Sequence, residues 1–494
     1  MVRDVRGRLF YVILFHGTFN AGVRWTDTLQ GGIMLEDILS GKKKLFADGV
    51  QTVLRGQENR SRSVSFVNGA LTGNSRSESR GVNARVLKNG VHGFASMAEY
   101  SESAAEAVLK AATENAFFLA EHAPNGKKAP KSFGTGVVAL NHNIVDFEQK
   151  KIIEACKEID SYIEKNYPDL KSRVVSYREQ SHDKIIYTSD AFSGHITNPR
   201  CHIYVIMTAE TKDGVPVELY KAFGGAGNFD ENFSDVSKCF AGIDELYRKL
   251  MDKKEGVYAD AGMKTVILGG DLGGMLSHEA VGHTVEADLV AGGSVAGPLL
   301  NKQVASPLIT LVDFAHTALG QPAPLPVFMD DEGVVAEDAV LIKDGILTGY
   351  MHNRESAERY GVAPTGNARG WGFSDEPIIR MRNTAILPGK DKFEDMIASV
   401  DDGYLLTNTG NGQADLTGEF MFGVNMGYEI KNGKLGHAIL DTTVSGIAFE
   451  MLKTVDMVSS DMTWSSAGTC GKKQPMTTSF GGPYLRCKIM IGGR

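Results

Sequence analysis

Residues 273–290 read GGMLSHEAVGHTVEADLV, where Glu279 directly follows His278 and His283 comes five positions after the first histidine. Two imidazoles and a carboxylate are the parts of a metal-hydrolase site. Neutral imidazole suits Zn²⁺, and a carboxylate beside the metal can act as general base on the attacking water. In the HExxH of zinc proteases the histidines stand at i and i+4, about 40° apart around a regular helix. A spacing of i and i+5 separates them by about 140°. Both rings can face one metal only where the helix widens or ends between them. A π-bulge does this, such bulges cluster at functional sites, and Gly282 eases the distortion. A buried core histidine beside a surface pair accounts for the same six residues without any metal.

A catalytic zinc site needs a third protein ligand. Glu286 and Asp288 are near enough in sequence to serve, or to orient an imidazole from behind. Cys470, in SAGTCGKK, offers a thiolate on a loop of small residues. Arg380 and Asn383, in RMRNT, are candidates for holding a peptide backbone, with packing an equal alternative. Tyr350 and His352, in GYMHN, are candidates for stabilising an oxyanion, although an exposed strand end explains them too. Asp330, Asp331 and Glu332 form an acidic trio, a candidate for binding a cation that reads better as a solvated turn before the next strand. Cys156, Cys201 and Cys239 lie on apolar faces as small hydrophobes. His202 beside Cys201 is weak evidence for a second metal, since neighbours on a strand point to opposite faces.

The elements around the motif are mixed. KTVILGGDLGG reads as a strand leading through a glycine-rich turn into the motif helix. Four Lys-Asn-Gly or Lys-Asp-Gly turns between apolar runs, at 86–94, 210–219, 340–351 and 429–439, predict antiparallel hairpins in both halves. Helices are expected at 103–123 with Ser103 at its start, after a capping box of Asp146 with Gln149, and over 234–254, where Val236, Phe240, Ile243, Leu246 and Leu250 recur at helical spacing. RVVSYREQ and CHIYVIMTAE read as strands, and beyond residue 300 the pattern is mostly β. The fold class is therefore α+β, with a helix-and-sheet N-terminal half and a β-rich C-terminal half divided near residue 255.

Composition bounds the function. The chain has 494 residues, a net charge of −8 and 42% apolar residues, as expected of a globular protein with more than one core. An acidic balance argues against a general nucleic-acid or membrane-surface role. Five scattered cysteines without CxxC spacing suit a reducing compartment, so a cytoplasmic location is expected. LFYVILF at 9–15 follows Arg3, Arg6 and Arg8 like a signal peptide, but no small-x-small cleavage site follows, and it is far short of the roughly 20 residues that span a bilayer. Residues 1–33 read as an extension outside the fold, with Met34 opening a helix in MLEDILSGKKKLF.

HEAVGH followed by VEAD, then DDEG (330–333), DGILTGYMHNRESAERYGVAPTGNARG (344–370), EPIIRMRNTAILPG (376–389), GNGQADLTGEFMF and GTCGKK (468–473) occur in the order of the TldD/PmbA family. SRGVNARVLKNGVHGFAS (79–96) matches its N-terminal pattern, so the chain resembles this family from about Met34 onward. The resemblance implies a zinc metallopeptidase of the TldD type that takes an extended peptide into an enclosed site. It implies His278, His283 and Cys470 as metal ligands and Glu279 as catalytic base. It also implies an N-terminal α+β domain over 34–254, a β-rich metallopeptidase domain over 255–494, and a dimer with itself or with a PmbA-like paralogue that lacks the motif. Two departures stand out. Residues 1–33 have no counterpart, and KKQPMTTSFGGPYLRC follows the cysteine loop where the family more usually has Lys-Asp/Glu-Gly-Gln, then Val-Pro and a Gly-Pro turn, so substrate fit there differs. The expected function is hydrolysis of unfolded or short peptides. The rival readings are a non-catalytic scaffold subunit and an amidase acting on a non-peptide bond.

Overall fold

The computed structural model describes residues 39–122, 136–141 and 148–492, together with a short pairing of Val2–Arg3 with Leu9–Phe10. The rest of 1–33, most of the first half of the 34–46 helix and Asp146 with its capping box lie outside the described residues.

The N-terminal sheet is built on long hairpins. Strands β1 (Gln51–Val67), β2 (Ala70–Lys88), β3 (Val91–Met97), β4 (Gly136–Asn141), β5 (Ser172–Thr188), β6 (Phe192–Glu210) and β7 (Pro216–Ala226) pair in the order β3-β2-β1-β5-β6-β4, with β7 also on β6. All pairs are antiparallel except β4 with β6. Asn89-Gly90, Asp344-Gly345 and Asn432-Gly433 each take positive φ at both residues, the geometry of a two-residue hairpin. A further such turn, Asn68-Gly69, joins β1 to β2. At Asp213-Gly214 only the glycine is left-handed, and the β6–β7 connection is the longer loop 211–215.

Helix α1 (Glu102–His122) buries Ala104, Ala105, Val108, Leu109, Ala112 and Ala116 against β2 and β3. Small residues on that stripe let it approach closely: a Cβ on Gly93 would sit 2.1 Å from the Ala112 carbonyl. The helix begins one residue before Ser103, and it is Ser101 that accepts from the Ala104 N–H. Helix α2 (Gln149–Asn166) buries Ile152, Cys156, Ile159 and Ile163 at helical spacing, each fully buried aliphatic contributing about 1.5–3 kcal/mol. The helix expected over 234–254 divides in two. Asp235 caps a tight 3₁₀ turn at Val236–Cys239 by accepting from Ser237 N–H, and α3 (Phe240–Lys254) follows.

In the C-terminal half, strand β8 (Gly262–Leu268) leads into helix α4 (Gly270–Met275), and β9 (Thr463–Cys470), β10 (Met476–Gly482) and β11 (Leu485–Ile491) follow near the other end. β8 lies inside one sheet, antiparallel to β11 and parallel to Asp402–Leu406. β10 lies inside a second sheet, antiparallel to β9 and parallel to Asn383–Ile386. The motif segment packs between them: Leu276, Ala280, Val281 and Val285 share one core with Val266, Leu268, Met381 and Leu485. Sheets dominate with helices laid against them, an α+β fold. Among the described residues, no helix is long and apolar enough to cross a membrane.

Candidate metal centre

The strand β8 ends at Leu268 and Gly269 is the N-cap of α4, because at this point the chain must pass against the opposite sheet. A Cβ on Gly270 would lie 2.5 Å from the Gly482 carbonyl, and one on Gly274 2.7 Å from the Phe480 ring. After one α-turn the helix widens. Leu276–Gly282 is π-helical, and the His283 N–H donates to the carbonyl of His278, five residues back. That single bond brings both imidazoles to one side, with ring centroids 5.3 Å apart and planes at 80°. Gly282 leaves the room for this, since a Cβ would sit 2.1 Å from the Met381 sulfur and 3.0 Å from the Ser277 carbonyl.

Cys470, the last residue of β9, completes the group. One ligand atom from each of His278, His283 and Cys470 lies within 4.8 Å of the others. The thiol sulfur is 3.4 Å from His283 Nε2. Glu279 reaches the same space, with carboxylate oxygens 3.9 Å from His278 Nε2 and 3.6 Å from His283 Nε2, and it is the member of the group most open to solvent.

Each donor is held from behind. The Glu286 carboxylate, fully buried, lies 2.8 Å from His283 Nδ1. Thr478 Oγ1 is 3.4 Å from His278 Nδ1. Lys472 Nζ lies 3.3 Å from Glu286 and donates to Asp288 at 2.7 Å and to the Ile379 carbonyl at 3.0 Å. Of the three acidic or thiol candidates for a third ligand, Cys470 thus faces the imidazoles, while Glu286 orients one of them and Asp288 is tied to Lys472. Arg380 serves the loop itself, donating to the carbonyls of Cys470, Lys472 and Gln474 at 2.9, 2.9 and 2.6 Å.

The donors fit a metal. His278 Nε2 is buried and has no hydrogen-bond partner, an arrangement that is costly unless something ligates it. Burial pushes the Cys470 thiol up, but the facing His278 and His283 imidazoles outweigh it and hold it down at about 3, favouring the thiolate. Burial likewise works against a charge on His283, and Glu286 with Cys470 overcomes it and raises that imidazole to about 10.

Other sequence candidates fall elsewhere. Asn383 spends its amide on the carbonyls of Phe314, Ala315 and Leu325. Tyr350 donates to the Ala296 and Gly297 carbonyls, and His352 Nδ1 pairs with Ser356, so neither points at the metal group. The acidic trio is buried rather than solvated, because the N-terminal sheet supplies cations to it. Asp331 accepts from Arg55 and Lys184, and Glu332 pairs with Arg85 and accepts from the Arg354 N–H, while Asp330 accepts backbone N–H groups of Glu332, Val334 and Ala368. Cys156, Cys201 and Cys239 are buried in one apolar cluster, and His202 bonds Ser466. Lys472 and Thr478 were not singled out from sequence; the GlyLysLys run after the cysteine was the available signal for the first.

The chain matches the model of the PmbA/TldA metallopeptidase C-terminal domain over residues 261–493, and that of PmbA/TldA metallopeptidase domain 1 over 53–116. It is 30% identical over 457 residues to a metalloprotease of Methanocaldococcus jannaschii, covering 90% of this chain and 97% of that one. It is 28% identical over 358 residues to the zinc metalloprotease TldD homolog of Saccharolobus solfataricus, covering 72% and 79%. TldE from Thermococcus kodakarensis shares the fold, with a TM-score of 0.71 at 17% identity over 93% of this chain and 100% of that one. The chain belongs to the PmbA/TldD metallopeptidase family.

Proposed function

We propose that the protein is a zinc-dependent peptidase of the TldD type that hydrolyses short or unfolded peptides, with His278, His283 and Cys470 as the metal ligands and Glu279 as general base. The observation that carries this reading is the placement of the Glu279 carboxylate, partly open to solvent, on the rim of three donors that are themselves fixed by buried partners. A zinc ion held by these donors supplies a Lewis acid that polarises a carbonyl and acidifies water.

Within the chain, Glu279 takes the proton from the attacking water and returns it to the leaving amine. Glu286 keeps the His283 ring turned toward the gap by holding its Nδ1, and Lys472 holds Glu286 in place. His278 Nε2 and the Cys470 thiolate face the same point. The reading includes a cytoplasmic setting, in keeping with five free cysteines, and assembly as a homodimer or with a PmbA-like paralogue, without nucleic acid or membrane.

The test is cleavage of a mixed pool of unstructured peptides by the purified chain, wild type against Glu279→Ala, read by mass spectrometry. Cleavage present in the wild type and absent from the variant is expected. Equal cleavage by both removes Glu279 from the mechanism. Absence of cleavage in both, alone and with a motif-lacking paralogue, favours the scaffold reading.

A further inference from the structure

Between the N-terminal sheet and the loops around β10 lies a small cavity, part of it open to solvent, lined among others by Gln180, Lys184 and Arg200 on one side and Asp331, Arg369 and Thr477 on the other. Its charge is unbalanced. Asp331 is already satisfied: Arg55 Nη1 donates to it at 2.6 Å, Lys184 Nζ at 2.8 Å and the Gly370 N–H at 2.6 Å. Two guanidiniums remain. Arg200 donates to the side-chain oxygen of Gln180 at 2.7 Å and reaches the Ser466 carbonyl at 3.5 Å. Arg369 donates to the carbonyls of Met381 and Thr477, the latter at 3.4 Å. Among the described residues, neither forms an ion pair with a carboxylate. Arg369 is buried, and its Nε has no hydrogen-bond partner. Burial pulls both guanidinium pKa values down to about 10, for Arg369 against an opposing pull from Asp313 and Asp331. A buried excess of positive charge is costly unless an anion completes it.

Strand β10 ties this cavity to the metal-ligand group. Met476, which lines the cavity, is the cross-strand partner of Cys470; Thr477 lines it next; and the hydroxyl of Thr478 is the one beside His278. An extended peptide advances about 3.3 Å per residue, so a group seated in the cavity belongs within a few residues of a bond presented to Glu279.

We propose that the cavity binds a carboxylate of the peptide substrate, its C terminus or an acidic side chain a few residues from the cleaved bond, with Arg200 and Arg369 as its partners. The proposal rests on the peptidase reading and narrows the substrate class to peptides carrying a carboxylate at that distance. Arginine suits the task, since its planar fork matches a carboxylate and stays charged in a desolvated site.

The experiment uses the full-length, zinc-loaded Glu279→Gln variant and fluorescent peptides of one core sequence, with the C terminus free or amidated and with Glu or Gln near the cleavage position, titrated by anisotropy. At least one carboxylate-bearing peptide binds about tenfold or more tightly than its neutral twin. Adding Gln180→Glu, which hands Arg200 a carboxylate of its own, brings the twins to within about twofold, as does Arg200→Gln. Arg200→Lys keeps the preference. Dependence on the free terminus assigns the C-terminal source, and dependence on Glu assigns the side chain. Should Arg200→Gln fail to fold, Gln180→Glu decides alone. Equal binding of charged and neutral peptides by the parent overturns the carboxylate site and leaves the peptidase reading standing. No binding of any peptide, together with no cleavage of the mixed pool by wild type, removes both.

Discussion

Glu286→Gln removes one charge and almost no volume, which makes it a clean probe of what lies behind the proposed metal ligands. Glu286 is fully buried, 2.8 Å from His283 Nδ1 and 3.3 Å from Lys472 Nζ. The amide oxygen of Gln can still accept from Nδ1–H, so the ring keeps its direction and the loss is electrostatic. Removing such an outer partner typically weakens metal affinity 10–100-fold, about 1.4–2.7 kcal/mol. Because this carboxylate is screened from water, the upper half of that range is expected. Asp288→Asn acts on Lys472 and on the Leu289 N–H, and Lys472 keeps Glu286 and the Ile379 carbonyl, so its effect on affinity is expected to stay below about tenfold. The assay is zinc competition against a chromophoric chelator at pH 7.5, with thermal melts to show that each variant is folded. Zinc affinity of Glu286→Gln within about threefold of wild type would refute the argument. Complete loss of binding in a folded protein would place Glu286 among the ligands instead of behind them.

Further outcomes are expected. Cys470→Ala sharply lowers zinc stoichiometry measured by elemental analysis; full occupancy in that variant would pass the third-ligand role to Glu286 or Asp288. Gly282→Ala places a methyl against the Met381 sulfur at a 2.1 Å approach, so a melting temperature several degrees lower and weakened zinc binding are expected, with partial rescue by Met381→Ala. His202 and His352 are both held down at about 4 by burial. A base with a depressed folded pKa stabilises above its unfolded value near 6.5, and this stability is lost as pH falls toward 4. Each therefore contributes up to about 2 kcal/mol of destabilisation between pH 7 and 4.5. Denaturant melts of His352→Gln, expected to show a shallower decline over that window, test this; an unchanged slope counts against it.

How much was legible in sequence depended on whether the signal was local. The five-residue spacing of His278 and His283 demands a widened helix if both are to face one point, and Leu276–Gly282 forms a π-turn. Asn-Gly and Asp-Gly turns carry their own backbone preference, and the hairpins at 89–90, 344–345 and 432–433 follow it. The failures are cases where a distant partner decides. Asp330, Asp331 and Glu332 have the composition of a solvated turn, and only Arg55, Arg85 and Lys184, arriving from another sheet, make their burial tolerable. Lys472 gives no sign in its own segment that it will meet Asp288, 184 positions earlier. Tyr350 and His352 read either as oxyanion candidates or as an exposed strand end, whereas tertiary packing closes over both.

The centre joins residues that are made far apart in time. His278 and His283 leave the ribosome long before Cys470, and β10 and β11 follow later still, yet β11 lies beside β8, and β10 carries the Thr478 that steadies His278. A chain halted before residue 470 holds two histidines and a base but lacks the thiolate and the strands that set them. On the peptidase reading, the order of synthesis leaves the site without one of its donors until Cys470 and the strands around it have been made.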